Sequence, residues 1–329
     1  MNINDIAKMA GVSKSTVSRV LNNIKVKPEL KAKVDKVLEE TGYKPNRLAR
    51  ELVSKKTNLI GVILPSLKQN VYSYIVEGMG KILQSKGYSL IITTCDEFDV
   101  VGDELINLFK FFLDRHVEGL VYVPGVITDK AKAYIESYEL PIVTIGEKIE
   151  DIPAVLFDDY NASKAIVDYF AMKGHKEVGY IGLDDSLNSV GYLRRLGYMD
   201  GLKLAGLKVL DSRMVTAGHD NKEGYLAAKS FIKENKDVTA IFAGYDKMAY
   251  GIISGLVDEG YRVPEDISVI GIGDDDISEY FQPALTTVFF DYINTGEIAG
   301  NMIIDLINEK SDVEDQVIDF TIKERNSVK

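Results

Sequence analysis

Near the start of the chain, four polar side chains recur at the spacing of one face of a short helix. They are Lys14, Ser15, Ser18 and Arg19, which are cations or short hydroxyl donors. Residues three and four positions apart lie on the same side of a helix, so these groups would project together. Such donors and cations can contact base edges and phosphates in the major groove of DNA. The pattern therefore predicts a DNA-reading surface.

Two short helices joined by a tight turn would position these side chains. Asn2 can cap the first helix, with Asp5 three residues on, and Ser13 can cap the second. Gly11 supplies the backbone freedom that the turn needs. The apolar positions that would face inward are Ile6, Ala7, Ala10, Val17, Val20 and Leu21. This is the pattern of a helix-turn-helix.

A third helix is predicted between Pro28 and Gly42, and it completes a small core. Proline suits the first turn of a helix, and glycine is common where a helix ends. The apolar positions of this helix are Leu30, Val34, Val37 and Leu38. Any small three-helix unit shows such patterning, so a DNA-binding function needs independent support.

The charge of the chain provides that support, because it is divided unevenly. Residues 1–58 contain 13 Lys and Arg against 6 Asp and Glu, a net charge of +7, whereas the whole chain carries −11. The remaining residues, 59–329, therefore carry −18. A Lys-rich segment alone is usually only a solvated surface. Here it coincides with the helix-turn-helix pattern, and a basic module attracts phosphate while an acidic body stays off DNA.

From Asn58 onward, short apolar runs alternate with amphipathic segments, which is typical of βαβ units and parallel sheets. The predicted strands cover residues 59–64, 89–94, 119–123, 142–145, 154–157, 178–182, 240–243, 268–271 and 285–288. The predicted helices cover residues 72–86, 104–115, 162–173, 191–205, 222–235 and 246–259. The sequence therefore predicts an α/β body of two doubly wound halves, with a ligand site at the carboxyl ends of the strands.

Ordered motifs along the chain carry a family resemblance. They lie at residues 3–7, 11–13, 16–22, 42–46 and 49–52, and in the body at residues 174–175, 194–198, 246–249, 263–271 and 283–288. Together they resemble the lactose-repressor (LacI/GalR) family of transcription regulators. The resemblance implies a helix-turn-helix head in residues 1–45, a hinge helix and linker in 46–58, and a periplasmic-binding-protein-like effector and dimerisation domain in 59–329. The N-lobe would comprise about 59–158 and 291–318, and the C-lobe about 159–290 and 319–329.

The resemblance also implies which residues contact operator DNA. In the head they are Ser13, Lys14, Ser15, Thr16, Ser18, Arg19, Asn22 and Tyr43, and in the hinge they are Asn46, Arg47, Ala49 and Leu52. A hinge helix of about two turns is marginal in water, so we expect it to order on DNA. By resemblance, Leu52 matches a leucine that wedges into a central base step from the minor groove.

Seven residues are expected to contact an effector between the lobes. They are Ser66, Glu147, Arg194, Tyr245, Asp246, Asp274 and Tyr292. By resemblance, Arg194 occupies the position whose guanidinium holds sugar hydroxyls, and an ion pair on the surface or between the lobes is its alternative role. Ser66 and Asp246 follow predicted strands near the mouth of the site, although Asp246 can cap its helix instead.

Two departures from the family pattern bear on the effector. After residues 269–271 the family usually has an aromatic residue and then a sugar-binding aspartate, whereas this chain has Ile272 and Gly273 before Asp274. Tyr245 stands where many members have an amide or a small polar residue. Asp274 can take the acceptor role, and Tyr245 or Tyr292 can stack on a pyranose. In its details the chain looks most similar to the trehalose and sucrose regulators.

Other functional classes have weaker support. In an enzyme, the three aspartates of residues 274–276 could form a metal site, but a run of acidic residues in a loop is usually solvated. Gly271 and Gly273 could belong to a nucleotide-binding loop, but the third glycine of that motif is missing. The three histidines lack metal-ligand spacing, so no metal or cofactor is expected. A sugar-binding transport protein would not carry a basic head. A purine- or nucleoside-responsive regulator of the same family stays open.

The remaining expectations concern location and assembly. No apolar run approaches the length of a membrane span, residues 1–5 do not resemble a signal peptide, and the single Cys95 excludes an intrachain disulfide. A cytoplasmic protein without a membrane partner is expected. The chain lacks a C-terminal leucine heptad, which favours a homodimer over a coiled-coil tetramer. The expected function is repression of carbohydrate-utilisation genes, with operator binding modulated by a sugar or sugar-phosphate effector between the lobes. The expected partners are operator DNA of near-palindromic sequence, this carbohydrate effector and a second copy of the chain.

Overall fold

The computed structural model of the protein describes residues 1–21, 24–43, 56–95, 103–125 and 128–329. The chain divides into two compact units, Met1–Thr57 and Asn58–Lys329, which we call the head and the body. Five residues predicted to contact DNA lie outside the described residues: Asn22, Asn46, Arg47, Ala49 and Leu52. The predicted hinge helix lies outside them as well.

The described part of the head contains three helices: α1 (Ile3–Ala10), α2 (Lys14–Leu21) and α3 (Pro28–Thr41). The Asn2 side-chain oxygen accepts hydrogen bonds from the N–H groups of Asn4 and Asp5. The Asp5 carboxylate accepts one from the Asn2 N–H at 2.8 Å, so both halves of a capping box form. Gly11 has a φ of +63°, the left-handed conformation that ends α1 and starts the turn. The predicted helix-turn-helix is confirmed.

The core of the head fixes which face of α2 meets solvent. It is built from Ile6, Ala7, Ala10, Val17, Val20, Val34 and Val37. Val17 and Val20 supply the α2 side of this core, so the polar residues between and before them are directed outward.

In the described part of the body, twelve short strands form the two sheets. The N-lobe contains β1 (Leu59–Leu64), β2 (Ser89–Thr94), β3 (Gly119–Tyr122), β4 (Ile142–Ile145), β5 (Ala154–Phe157) and β11 (Gln316–Ile318). The C-lobe contains β6 (Val178–Gly182), β7 (Met214–Thr216), β8 (Ala240–Ala243), β9 (Ser268–Ile272), β10 (Thr286–Phe290) and β12 (Phe320–Lys323). The strand orders are β11-β5-β4-β3-β1-β2 and β12-β10-β9-β8-β6-β7. All described pairings are parallel except that of β10 with β12.

Eight helices connect these strands in the described part of the body. They are α4 (Asn70–Ser85), α5 (Asp103–Asp114), α6 (Asp129–Glu136), α7 (Asp159–Met172), α8 (Arg194–Leu204), α9 (Asn221–Glu234), α10 (Asp246–Asp258) and α11 (Tyr292–Ile307). A π-helical segment, Asn188–Leu193, leads directly into α8, and a 3₁₀ turn, Asp211–Arg213, precedes β7. No helix in the described ranges is long and apolar enough to cross a membrane.

The two-lobed α/β architecture predicted from the sequence is confirmed. The nine predicted strands occur with ends shifted by at most two residues. The sequence pattern does not predict β7, β11 and β12, which are sheet edges of three or four residues with mostly exposed or half-buried side chains. Such edges lack the continuous apolar run that identifies a buried parallel strand. The helices α6 and α11 are also not among those predicted.

Close helix packing positions Tyr292, the first residue of α11. The helix α11 packs on α4 in the N-lobe, immediately after the chain has left β10 in the C-lobe. At the contact, a Cβ on Gly296 would lie 2.0 Å from the Ile75 carbonyl oxygen, and one on Gly78 would lie 2.0 Å from the Ile293 carbonyl oxygen. Only glycine allows the two helices to approach this closely.

Candidate functional site

The outward face of α2 gathers most of the head residues that were predicted to contact DNA. Ser13, Lys14, Ser15 and Arg19 are exposed, and Thr16 and Ser18 are half-buried. Ser13 Oγ accepts a hydrogen bond from the Thr16 N–H at 3.1 Å, so Ser13 caps α2 as predicted. Tyr43 is placed differently, because its ring packs against the core of the head.

A groove beside this face contains two further cations. Arg19 Nη2 donates a hydrogen bond to the Lys25 carbonyl oxygen at 3.3 Å, which ties α2 to the loop before α3. Lys25 and Lys27 line the same groove just before Pro28 starts α3. Cations beside a helix N-terminus suit a phosphate contact. The spacing of polar residues on α2 does not point to these lysines, and two cations before a helix-starting proline are the sequence signal for them.

A cleft between the two lobes, which we call the effector cleft, lies at the carboxyl ends of the strands. Four of the predicted effector residues line it: Glu147, Arg194, Tyr245 and Tyr292. Most of the other lining side chains are aromatic or aliphatic, and Ser189 is a further polar residue in the lining. The enclosed space is about 80 Å³, whereas ligand pockets commonly measure roughly 300–1,000 Å³. A sugar-sized ligand therefore requires the lobes to separate or side chains to move.

Arg194 is held rigidly at the wall of the effector cleft. Its Nε donates a hydrogen bond to Asp159 Oδ1 at 2.6 Å, and its Nη1 donates to the Gly244 carbonyl oxygen. The guanidinium carbon lies 4.8 Å from the centroid of the Tyr245 ring. Burial acts to lower the pKa of Arg194, but the Asp159 carboxylate outweighs it, and the pKa is raised above its ordinary value. Arg194 is therefore permanently charged and oriented in advance.

Asp159 and Ser189 belong to this arrangement, although the sequence did not indicate them. Ser189 Oγ donates a hydrogen bond to Asp159 Oδ2 at 2.6 Å. The Ser189 N–H donates to a carboxylate oxygen of Glu147 in the other lobe at 3.3 Å. The available signal for Asp159 is its position two residues after the end of β5, where the chain enters the C-lobe. Nothing in the sequence around Ser189 distinguishes it from other loop serines.

Asp246 does not line the effector cleft, so its predicted effector contact needs correction. The carboxylate is 2% exposed and is used by protein donors. Oδ1 accepts a hydrogen bond from Thr287 Oγ1 at 2.6 Å, and Oδ2 accepts from Ser278 Oγ at 2.7 Å and from the Asp275 N–H at 3.1 Å. Asp246 thus ties α10 to the loop after β9 and to β10. The capping role expected as its alternative is not observed either, because no side chain caps α10 and the carboxylate bonds to groups outside that helix.

Asp274 and Ser66 also lie outside the lining. Arg325 Nη2 donates a hydrogen bond to Asp274 Oδ1 at 2.6 Å, so this carboxylate pairs with the C-terminal segment. Asp276 accepts a hydrogen bond from the Tyr74 hydroxyl, and Ser66 Oγ accepts one from the Lys68 N–H at 3.0 Å. The carboxylates of residues 274–276 therefore diverge. Within the described ranges no group of three or more metal-ligating side chains occurs.

Hydrogen bonds outside the effector cleft also join the lobes. The Tyr74 hydroxyl on α4 donates to Asp276 in the loop after β9. Lys247 Nζ on α10 donates to the Lys68 carbonyl oxygen. Both would break on separation of the lobes, so they bias the body toward closure.

Asp246 gives the body a testable pH dependence. Burial raises the pKa of its carboxyl from 3.8 to about 7, while the Thr287 and Ser278 hydroxyls oppose the shift. The folded state therefore binds this proton more tightly than the unfolded state, and Asp246 makes the free energy of unfolding fall as the pH rises between those two values. In Asp246→Asn this contribution is removed. The difference in unfolding free energy between variant and wild type should change by up to about 1.4 kcal/mol per pH unit in that window.

Urea unfolding of both proteins at a series of pH values measures this difference. Asp266→Asn is a suitable control, because the pKa of Asp266 is lowered by its hydrogen bonds with Arg262 on the surface. A difference between Asp246→Asn and wild type that is constant from acid to neutral pH would show that Asp246 does not hold the proton.

Comparison with known proteins places both units in characterised families. Residues 2–46 match the model described as bacterial regulatory proteins, lacI family, and residues 167–328 match the periplasmic binding protein-like domain. Catabolite control protein A of Priestia megaterium is 31% identical, and the alignment covers 94% of each chain. The transcriptional repressor PurR of Serratia proteamaculans is 32% identical, with 99% of this chain and 96% of the relative covered.

A solved structure has a similar fold. The lac repressor dimer bound to operator and the anti-inducer ONPF aligns with a TM-score of 0.89 at 24% identity, covering 99% of this chain and 98% of that one. The relatives named above are not trehalose or sucrose regulators. The resemblance to that branch in particular is therefore not supported.

Proposed function

Because the chain belongs to the lacI family of bacterial regulatory proteins, which are DNA-binding transcription regulators and not enzymes, we propose that it represses carbohydrate-utilisation genes. A carbohydrate bound in the effector cleft controls how strongly the protein holds its operator. The protein acts in the cytoplasm, where its operator lies.

The DNA-binding part of this proposal depends on one observation, the outward face of α2. Lys14 and Ser15 lie exposed in the first turn of a helix whose opposite side is fixed by the head core. In this motif the first residues of the second helix reach base edges in the major groove. Arg19, Lys25 and Lys27 flank them and suit the phosphate backbone.

The effector part depends on the mixed lining of the effector cleft. Tyr245 and Tyr292 offer flat rings, while Arg194 and Glu147 offer a donor and an acceptor. A sugar ring has an apolar face and a rim of hydroxyls, which matches an apolar pocket with a few convergent polar groups. A purine or nucleoside is the second candidate, because a planar base also stacks on tyrosine and a relative at 32% identity is named repressor PurR.

We further propose that the protein works as a homodimer. The lac repressor of similar fold is described as a dimer bound to operator. Two heads in such a dimer read a near-palindromic site. Residues 46–53, with Leu52 as the apolar wedge, would couple the body to the DNA through the minor groove, although they lie outside the described residues.

In vitro selection of binding sites from random duplexes tests the proposal. We expect the wild-type protein to enrich a near-palindromic sequence whose half-site centres are about one helical turn apart, or a multiple of it. Recovery of duplexes without any shared sequence would contradict a sequence-specific regulator.

A further inference from the structure

The cation at the effector cleft is already neutralised by the protein. The side chains of Arg194 and Asp159 are 3% and 0% exposed, and 2.6 Å separates Nε from Oδ1. The second Asp159 oxygen accepts the hydrogen bond from Ser189 Oγ. A charge buried in this way needs a partner, and here the partner is built in.

This neutralisation does not depend on closure of the lobes. Asp159 is the first residue of α7 and Arg194 the first residue of α8, and these helices pack against each other in the C-lobe. The other described contacts of Arg194, with the Gly244 carbonyl and the Tyr245 ring, also belong to the C-lobe. Separation of the lobes would therefore leave the ion pair intact.

The described lining of the effector cleft supplies no second cation. Among its described lining residues, Glu147 is the charged side chain besides Arg194. One guanidinium thus stands against the two carboxylates of Asp159 and Glu147. An incoming phosphate would lose its hydration without gaining an uncompensated cation.

We propose that the effector cleft selects against anions, so that its effector is an uncharged, hydroxyl-bearing molecule and phosphorylated analogues are rejected. Asp159 is the residue that determines this selectivity, because it holds the charge of Arg194. Arg194 then serves as a hydrogen-bond donor to hydroxyls and not as a counter-ion. The inference rests on the proposed function only in treating this cleft as the effector site.

Inorganic phosphate is a suitable probe, because it isolates the charge from the rest of the effector. We expect calorimetric titration of the full-length wild type to show no phosphate binding that depends on Arg194. In Asp159→Asn the guanidinium loses its counter-ion, and phosphate affinity should rise by about tenfold or more. This gain in phosphate affinity should disappear in the double variant Asp159→Asn, Arg194→Gln. The double variant thus distinguishes phosphate bound in the effector cleft from phosphate bound by the basic head.

Asp200→Asn is the matched control. Asp200 lies on α8, and its carboxylate pairs with Lys203 at 2.8 Å outside the lining of the effector cleft. Its neutralisation should leave phosphate affinity unchanged. If Asp159→Asn does not fold, Asp159→Ser keeps a small acceptor beside the guanidinium, and circular dichroism shows which variant is native.

Two outcomes would overturn the proposal. The first is phosphate binding by the wild type that is lost in Arg194→Gln, and the second is no gain of phosphate binding in a folded Asp159 variant. Neither outcome would contradict DNA recognition, because the selection of binding sites tests DNA recognition separately. A protein that rejects phosphate but selects no DNA sequence would instead refute the proposed function.

Discussion

Arg194→Ala should remove the response to the effector and destabilise the body by about 3–5 kcal/mol, because it leaves the buried Asp159 carboxylate without its partner. The Asp159 side chain is 0% exposed and cannot recover the lost interaction with bulk water. The same change deletes the oriented donor at the wall of the effector cleft. Urea unfolding and effector titration measure the two effects. Operator affinity without effector should be retained at temperatures where the variant is folded, because Arg194 belongs to the body and not to the head.

The neighbouring arginine provides the control for this prediction. Arg195 pairs with Asp185, and the two side chains are 31% and 45% exposed. A pair of this kind contributes about 0–1 kcal/mol, so Arg195→Ala should have little effect on either measurement. Equal behaviour of the two alanine variants would mean that Arg194 is not an effector residue and that its ion pair with Asp159 does not stabilise the body.

The double variant Lys14→Ala, Ser15→Ala should change the sequence that the protein prefers. Each good base contact that is lost costs roughly 1–3 kcal/mol of discrimination. Both side chains are exposed and the core side of α2 is unaffected, so the head should stay folded. Binding-site selection with variant and wild type compares the enriched sequences directly.

Lys31→Ala controls for the loss of positive charge. Lys31 lies on α3, where it pairs with Asp35 on the surface of the head. Its removal should weaken DNA binding at most slightly, and by a similar factor for every sequence. If the double variant enriched the same sequence as the wild type, Lys14 and Ser15 would be contacts to phosphate or to solvent only.

The head is largely predictable from the sequence because local rules determine it. The cap at Asn2, the left-handed Gly11 and the helix start at Pro28 each act within a few residues, and the structure contains all three. The same reasoning locates the long buried strands of the body. It misses strands such as β11, whose side chains are mostly exposed and whose pairing with β5 depends on a distant part of the chain.

The effector residues were harder to predict because the direction of a side chain at a strand end depends on distant partners. Asp246 and Asp274 both follow strands, as expected for site residues. Their carboxylates turn instead toward Thr287 and Arg325, which lie 41 and 51 positions further along the chain. An ion pair is one of the two roles expected for Arg194, but its partner Asp159 lies 35 positions away in the chain and cannot be identified from the sequence.

The most direct test of the account is fluorescence anisotropy of the wild-type protein on its selected operator and on a random duplex of equal length. Titrations at one fixed salt concentration are made with and without a panel of unphosphorylated sugars and nucleosides. We predict that the operator is bound at least about 10³-fold more tightly than the random duplex. One member of the panel should change operator affinity by about 5–150-fold while the random duplex is unaffected. Equal affinity for the two duplexes would contradict a sequence-specific regulator. A ligand that changes the affinity for both duplexes by the same factor would contradict control of operator binding by an effector.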